Sequence, residues 1–447
     1  MATFSYSSSS WGALQTMLTG VLTDTSDRVI SSTSTRIDYG DNPMRDPYTQ
    51  FFGFGMNGTT TAGVVTDVDI YWPNSGSLSY IMDGMPQVPL ADLFNVGNTA
   101  HPLDALNHIL ARADWTGYGT GYDESFDGFY SAESIHAGGG DDYYTASMAP
   151  GQARNIVDRF DGGDGNDSVS FLDMPVGVTV DLAAGTVVFN EAVNGAIFSR
   201  TLQMVNVEEF TASNRADQIS GTNGNDQLYA AGGNDTVRGL KGSDGLFGHG
   251  GADFLDGGKG QDWLSGGKGK DVLLGRGGND KLDGDKGADV LRGAKGRDTL
   301  DGGGGRDKLY AGGGKDKLQG GGGNDRMDGG NGNDVMRGDM GSDTLRGGNG
   351  ADRIGGGRGN DHIYGDKGND TLTGGKGKDV FVFKTKGNTG SDEITDFQLK
   401  NDLLDLRGGN TKTNIFHDGA DTVIDYAGGM IRLLDVHLNE NQYDVII

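Results

Sequence analysis

From residue 219 to residue 381 a large apolar side chain returns at every ninth position. It is Ile, Leu, Val, Met or Phe at all nineteen of these positions, from Ile219 to Phe381. In an extended chain the residues flanking each one face the opposite way, the period-two signature of a strand. About six glycine-rich positions then intervene, as in GGKGQDWLSGGKGKDVLLGRGGND at 257–280. Glycines there permit positive φ and close backbone approach. The pattern predicts a three-residue strand and a tight six-residue turn, repeated nineteen times.

The chemistry keeps the same step. An aspartate stands two residues before every apolar position, from Asp217 to Asp379, and a glycine two residues before every aspartate except Asp217, which has Arg215. The unit is G-G-x-G-x-D-x-U-x, with U large and apolar. There are 82 glycines but no Gly-X-Y triplet, which excludes collagen. A flexible linker has no reason to hold phase through nineteen repeats with an apolar anchor in each. All 8 prolines lie at or before Pro175, so none interrupts the block. Two nonapeptides make an 18-residue coil with a strand on each side. Such coils stack as parallel strands ~4.8 Å apart, and the apolar residues of both sides meet in a narrow core. The turns then form two ladders. One holds Asp217, Asp235, Asp253, Asp271, Asp289, Asp307, Asp325, Asp343, Asp361 and Asp379; the other holds Asp226, Asp244, Asp262, Asp280, Asp298, Asp316, Asp334, Asp352 and Asp370.

Carboxylates stacked at that rise repel, and turn carbonyls lack partners. A hard cation with 6–8 oxygen ligands answers both needs, and calcium fits better than magnesium, which wants a tighter octahedron and keeps its waters. Ions bridging adjacent turns in two ladders suggest about 17 sites.

The repeat resembles that of the RTX (repeats-in-toxin) hemolysin-type calcium-binding proteins, tightly over residues 214–383. Two earlier copies match, AGGGDDYY with Asp142 and GGDGNDSV with Asp167, and VGVTVDLAAGTVVF looks like the insert found between RTX blocks. The resemblance implies an all-β chain built on a right-handed parallel β-roll. A small β-rich domain is expected over 1–130, a degenerate roll with its insert over 131–213, the roll of nineteen nonapeptides over 214–383, and a β cap with a secretion-signal region over 384–447. Alternation at Phe381 and Phe383 is expected to close the roll. SDEITDF and NDLLDL are similar to the carboxyl-terminal region of RTX proteins and serralysin-type proteases, which implies an address read by a type I secretion machinery.

Composition agrees with export. With no cysteine, disulfides and thiolate metal sites are excluded. The opening MATFSYSSSSWGAL lacks the basic start and apolar run of a Sec signal, and no apolar run is long enough to span a membrane. A secreted, extracellular protein is expected, with no nucleic-acid partner and no membrane span. The net charge of −26 is uneven: residues 1–210 hold 26 acids and 7 bases, whereas 211–383 hold 26 acids and 24 bases.

Residues 1–130 read as strands in TRIDYG, YTQFFGFGM, GVVTDVDIYW and SLSYIM, with a short helix in DALNHILARADW capped by Asp104. No HExxH and no G-x-S-x-G motif occurs, and the 7 histidines are scattered, although His101 and His108 could share a helix face. Asp123, Glu124 and Asp127 in GYDESFDGF read as an acidic turn leading into the roll. The chain is therefore expected not to be an enzyme. The alternative is an exported polysaccharide hydrolase or lyase with its active site in residues 1–130 and the roll as carrier.

The expected function is a secreted calcium-binding roll, folded by extracellular calcium and serving as a structural or surface and matrix protein. Filling the ladders makes the block basic. Lys259, Lys268, Lys270, Lys286, Lys295, Arg297, Arg306 and Lys315, with an outward aromatic strip of Tyr229, Phe247 and Trp263, could then hold an acidic polysaccharide or lipopolysaccharide.

Overall fold

The computed structural model describes residues 133–146, 156–193, 196–384, 390–407, 413–426 and 429–438, with short strands between 35 and 127. Every regular element among the described residues is a strand, and no helix there is long and apolar enough to cross a membrane. The chain forms two compact units, Met1–Ser213 and Asn214–Ile447.

The second unit is a parallel β-roll. Each nonapeptide contributes one strand, and alternate strands join opposite sheets. Phe254–Lys259 pairs with Val272–Gly277, which pairs with Val290–Lys295; across the core Gly245–Phe247 pairs with Trp263–Ser265, which pairs with Lys281–Asp283. The register is 18 residues throughout, so Leu255, Leu273 and Leu291 form one apolar column and Leu246, Leu264 and Leu282 another. These leucines are wholly buried. With the aspartate two residues earlier turned inward as well, alternation sends the residues flanking each leucine outside. One leucine per nine ordered residues is a thin core, which makes the turns decisive.

The parallel stack runs past Phe383. Leu403–Arg407 pairs with Val380–Lys384, aligning Leu404 with Phe381, and Gly390–Ile394 pairs with Thr371–Lys376, aligning Ile394 with Leu372. Gly429–Leu433 adds one more parallel strand on Gly390–Ile394. The direction then reverses: Asp421–Tyr426 runs antiparallel to Gly429–Leu433, and Asn414–Asp418 antiparallel to Asp421–Tyr426. This meander, with Phe381, Phe383 and Phe397 buried near the change of pattern, forms the β cap that covers the last apolar layer.

The first unit holds irregular coils. Tyr143–Thr145, Ser168–Ser170 and Glu209–Thr211 stack in parallel, with Tyr144, Val169 and Phe210 in register. The steps are 25 and 41 residues instead of 18. The larger one accommodates the insert, where Val178–Asp181 and Thr186–Val193 form an antiparallel hairpin continued by Ala196–Val205. Upstream, Thr35–Arg36, Gly53–Met56, Val68–Tyr71 and Leu78–Met82 form a four-stranded antiparallel sheet, so each segment expected to be a strand carries one. The expected helix up to Asp114, His101, His108 and the Asp123–Glu124 turn lie outside the described residues; Trp115 opens a strand, Trp115–Tyr118.

Candidate metal centre

The strand-to-turn junction places every repeat aspartate inside the roll. All nineteen are buried, from Asp217 to Asp379, and so are Asp142 and Asp167 in the first unit. The columns are those expected from the 18-residue step. Within each, one carboxylate oxygen, Oδ1, accepts the backbone N–H of the aspartate one coil earlier. Asp262 N–H donates to Asp280 Oδ1 at 3.0 Å, Asp271 N–H to Asp289 Oδ1 at 2.8 Å, and Asp316 N–H to Asp334 Oδ1 at 2.9 Å. Asp142 N–H donates to Asp167 Oδ1 at 2.8 Å.

The other oxygen, Oδ2, has no hydrogen-bond partner at any repeat aspartate from Asp235 to Asp379, although it is buried. A buried carboxylate oxygen left unpaired costs several kcal/mol. Glycine packing shows where these oxygens point. A side chain added at Gly329 would put its Cβ 2.6 Å from Asp334 Oδ2 and 2.7 Å from the Gly347 carbonyl oxygen. At Gly320 the corresponding atoms are Asp325 Oδ2 at 2.6 Å and Gly338 O at 2.9 Å. Absence of a side chain five residues before the aspartate thus keeps a cradle open, into which a carboxylate and a carbonyl of the next coil converge. Fifteen aspartates between Asp244 and Asp379 combine an unpaired Oδ2 with glycine at that position. The two glycines nearer the aspartate serve backbone shape: Gly330 has φ 94° and Gly332 φ 140°.

Burial also sets the electrostatics. It pushes Asp235, Asp244, Asp280, Asp289 and Asp343 up to about 7. Asp253, Asp298, Asp307, Asp325, Asp334, Asp352 and Asp379 are pushed up to about 6. In each case the N–H bonded to Oδ1 pulls back, and carboxylates nearby add to the upward push. The ladders are thus built of carboxylates that resist ionising unless a positive charge enters. No three acidic or imidazole side chains converge among the described residues. Each coil offers one carboxylate to a ladder, and the other oxygens on offer are backbone carbonyls. Hard oxygen donors of this kind fit calcium and offer nothing to a soft metal.

Three ladder residues escape the nine-residue phase. Asp370 N–H donates to Asp392 Oδ1 and Asp379 N–H to Asp402 Oδ1, both at 3.0 Å, so both columns extend into the cap. In the first unit Asp167 N–H donates to Glu208 Oε2 at 2.9 Å. Each has an apolar residue two positions on, Ile394, Leu404 and Phe210, and that local cue remains where the spacing is lost. Two carboxylates are satisfied by the protein itself. Asp226 Oδ2 accepts from Thr222 N–H at 2.7 Å, and Asp402 Oδ2 from Gln398 N–H at 2.8 Å.

Outside, the eight basic turn residues named above are all exposed. Tyr229, Phe247 and Trp263 do point outward, but their rings pack on neighbours. Tyr229 and Phe247 stack at 4.9 Å, Trp263 meets Phe247 edge-on at 5.2 Å, and Lys281 Nζ sits 4.5 Å over the Trp263 ring.

Residues 157–170 and consecutive segments covering 211–381 match the family described as RTX calcium-binding nonapeptide repeat (4 copies). No curated protein matches. Among solved structures, the chain is similar to the extracellular lipase LipA from Serratia marcescens, at 16% identity and a TM-score of 0.17. That match covers 52% of this chain and 40% of the lipase chain, so this chain spans less than half of the lipase's length. Stacked nonapeptides, two inward columns of aspartate and the family match over the same residues agree: the chain belongs to the RTX repeat proteins, and its solenoid is a calcium-binding β-roll.

Proposed function

We propose that calcium ions lodge in the cradles between successive coils, and that filling them drives the roll to fold. The carrying observation is the series of buried, unpaired Oδ2 atoms, each facing space kept open by a glycine. Asp244, Asp253, Asp262, Asp271, Asp280, Asp289, Asp298, Asp307, Asp325, Asp334, Asp343, Asp352, Asp361, Asp370 and Asp379 hold the ions, with carbonyls of the adjoining turns. The ion supplies the positive charge the ladder lacks, and its binding free energy becomes folding free energy. Extracellular calcium modules bind at roughly 10⁻⁴–10⁻³ M, so the roll folds outside a cell and stays open at cytosolic calcium. At ten times Kd each site adds about 1.4 kcal/mol, and about fifteen add on the order of 20 kcal/mol, more than the net stability of an ordinary domain. Such a switch and the cysteine-free composition suit export as an unfolded chain, and the likeness of SDEITDF and NDLLDL to the carboxyl-terminal region of RTX proteins supports a type I machinery as the route. Far-UV circular dichroism against calcium tests it: complete β signal in excess chelator refutes the proposal.

Outside the cell we read the chain as a non-enzymatic binding protein for an acidic polysaccharide or lipopolysaccharide. Of the 26 acids in residues 211–383, nineteen are the buried ladder aspartates, so the exterior carries 24 bases and seven acids. A shallow trough floored by Gly321, Gly322, Gly357 and Gly375 runs beside Arg358 and Lys376, which stand in register on neighbouring strands. With the aromatic faces covered by neighbours, ligand attraction rests on the bases. Binding of alginate to the calcium-folded chain, weakening steeply with salt, is the expected result; equal binding with and without calcium refutes it.

A further inference from the structure

The position five residues before each ladder aspartate is glycine in nearly every repeat. It is alanine at Ala311, before Asp316, at Ala230, before Asp235, and at Ala212, before Asp217. All three alanines are wholly buried. The backbone at Ala311 and Ala230 keeps the path of its neighbours. Tyr310 pairs with Asp328 and Gly312 with Gly330 in the standard register, and Ala230 N–H donates to Phe247 O as Gly248 N–H does to Ser265 O. The alanine methyl therefore occupies the space that a Cβ would enter at Gly329 or Gly320.

Asp316 keeps its other duty. Its Oδ1 accepts from Asp298 N–H at 2.8 Å, and its own N–H donates to Asp334 Oδ1 at 2.9 Å. Its Oδ2 is buried without a hydrogen-bond partner, as is that of Asp235. The two functions of a ladder aspartate are thus separable: Oδ1 joins coils whatever precedes it, whereas Oδ2 needs an open cradle.

We infer that Ala311 and Ala230 close the cation cradles of Asp316 and Asp235. One ladder is then divided into two calcium series, Asp244 to Asp298 and Asp334 to Asp370, and the other starts at Asp253. Methyl-for-hydrogen replacement at one buried position acts as a stop within an otherwise continuous ladder. Ala137 stands in the same relation to Asp142 in the first unit.

This inference rests on the ladder reading above, and the experiment separates the two. Native mass spectrometry of the full-length chain in saturating calcium counts bound ions in wild type, Ala311→Gly and Gly329→Ala, with radiocalcium dialysis as an independent count. One ion more in Ala311→Gly and one fewer in Gly329→Ala is the expected result. The joined series should also make the calcium titration of Ala311→Gly steeper. An unchanged count in Ala311→Gly, with wild type binding its ions, overturns the closed cradle and leaves the ladders standing. No bound calcium in wild type overturns the ladder reading itself.

Discussion

Acid should partly replace calcium. With no cation beside them, Asp235, Asp244, Asp280, Asp289 and Asp343 are pushed up to about 7 and seven further ladder aspartates to about 6, against 3.8 in a free chain. The folded empty roll therefore binds more protons than the unfolded chain between about pH 4 and pH 7. A group raised in this way stabilises the fold below its unfolded value, and that contribution is lost as pH rises through its folded value. A carboxyl raised from 3.8 to about 6 or 7 corresponds to at most about 3–4 kcal/mol per group before solvent screening is taken off. Water entering an empty ladder reduces this. Even about 1 kcal/mol from each of the twelve carboxylates matches the 5–15 kcal/mol net stability of a typical domain. The assay is far-UV circular dichroism in excess chelator as pH is lowered from 7.5 to 5, with sedimentation to confirm that the chain stays dispersed. Rising β signal is expected, and calcium should be needed at higher concentration at pH 5.5 than at pH 7.5, since protons and ions compete for the same oxygens. A flat or falling signal in chelator would show that ladder charge does not hold the empty roll open.

The same reasoning gives a crossed result for Asp289→Asn. The amide oxygen can still accept from Asp271 N–H, but the charge is gone; the chelated protein should gain structure, while the calcium form loses one ion and about 1.4 kcal/mol at ten times Kd by denaturant titration. Phe381→Ala removes a wholly buried ring where roll meets cap and should cost about 3–5 kcal/mol in saturating calcium. Trp263→Ala, on the exposed outer strip, should cost much less in the same titration. Asp402→Ala leaves the N–H groups of Asp379 and Gln398 without their acceptor and should destabilise the calcium form by about 1–3 kcal/mol, whereas Asp402→Asn should recover part of the loss.

The roll was legible in the sequence because one short unit carries both of its requirements. Leu264, Leu273 and Leu282 fix the strand faces, and Asp262, Asp271 and Asp280 fix the columns, so counting by nine reaches every inward position. Counting fails where coils change length. Asp392 and Asp402 lie 22 and 23 residues from the aspartates they bond, and Glu208 lies 41 from Asp167, yet all three keep the acid two residues before a core side chain. The strand register depends on that local pair, and the nine-residue step is only its commonest spacing. What periodicity could not reveal was the division of work between the two carboxylate oxygens. That depends on the carbonyl one coil later and on the absent side chain five residues earlier, neither of which is a property of the aspartate.

The same division explains why a nearly neutral block presents a basic exterior. Nineteen of its acids are buried, seventeen of them, Asp235 to Asp379, with Oδ1 on a backbone N–H of the preceding coil, which leaves Lys259, Lys268, Lys286 and their like without matching carboxylates outside. In the unfolded chain the same aspartates lie within a few residues of those lysines and mask them. Folding separates the charges radially, and the ladder can keep its acids ionised only if cations enter beside them. On the function proposed above, the basic outer surface belongs to the calcium-filled state, so the proposed attraction for a polyanion would arise together with the fold and be absent from the chain before it.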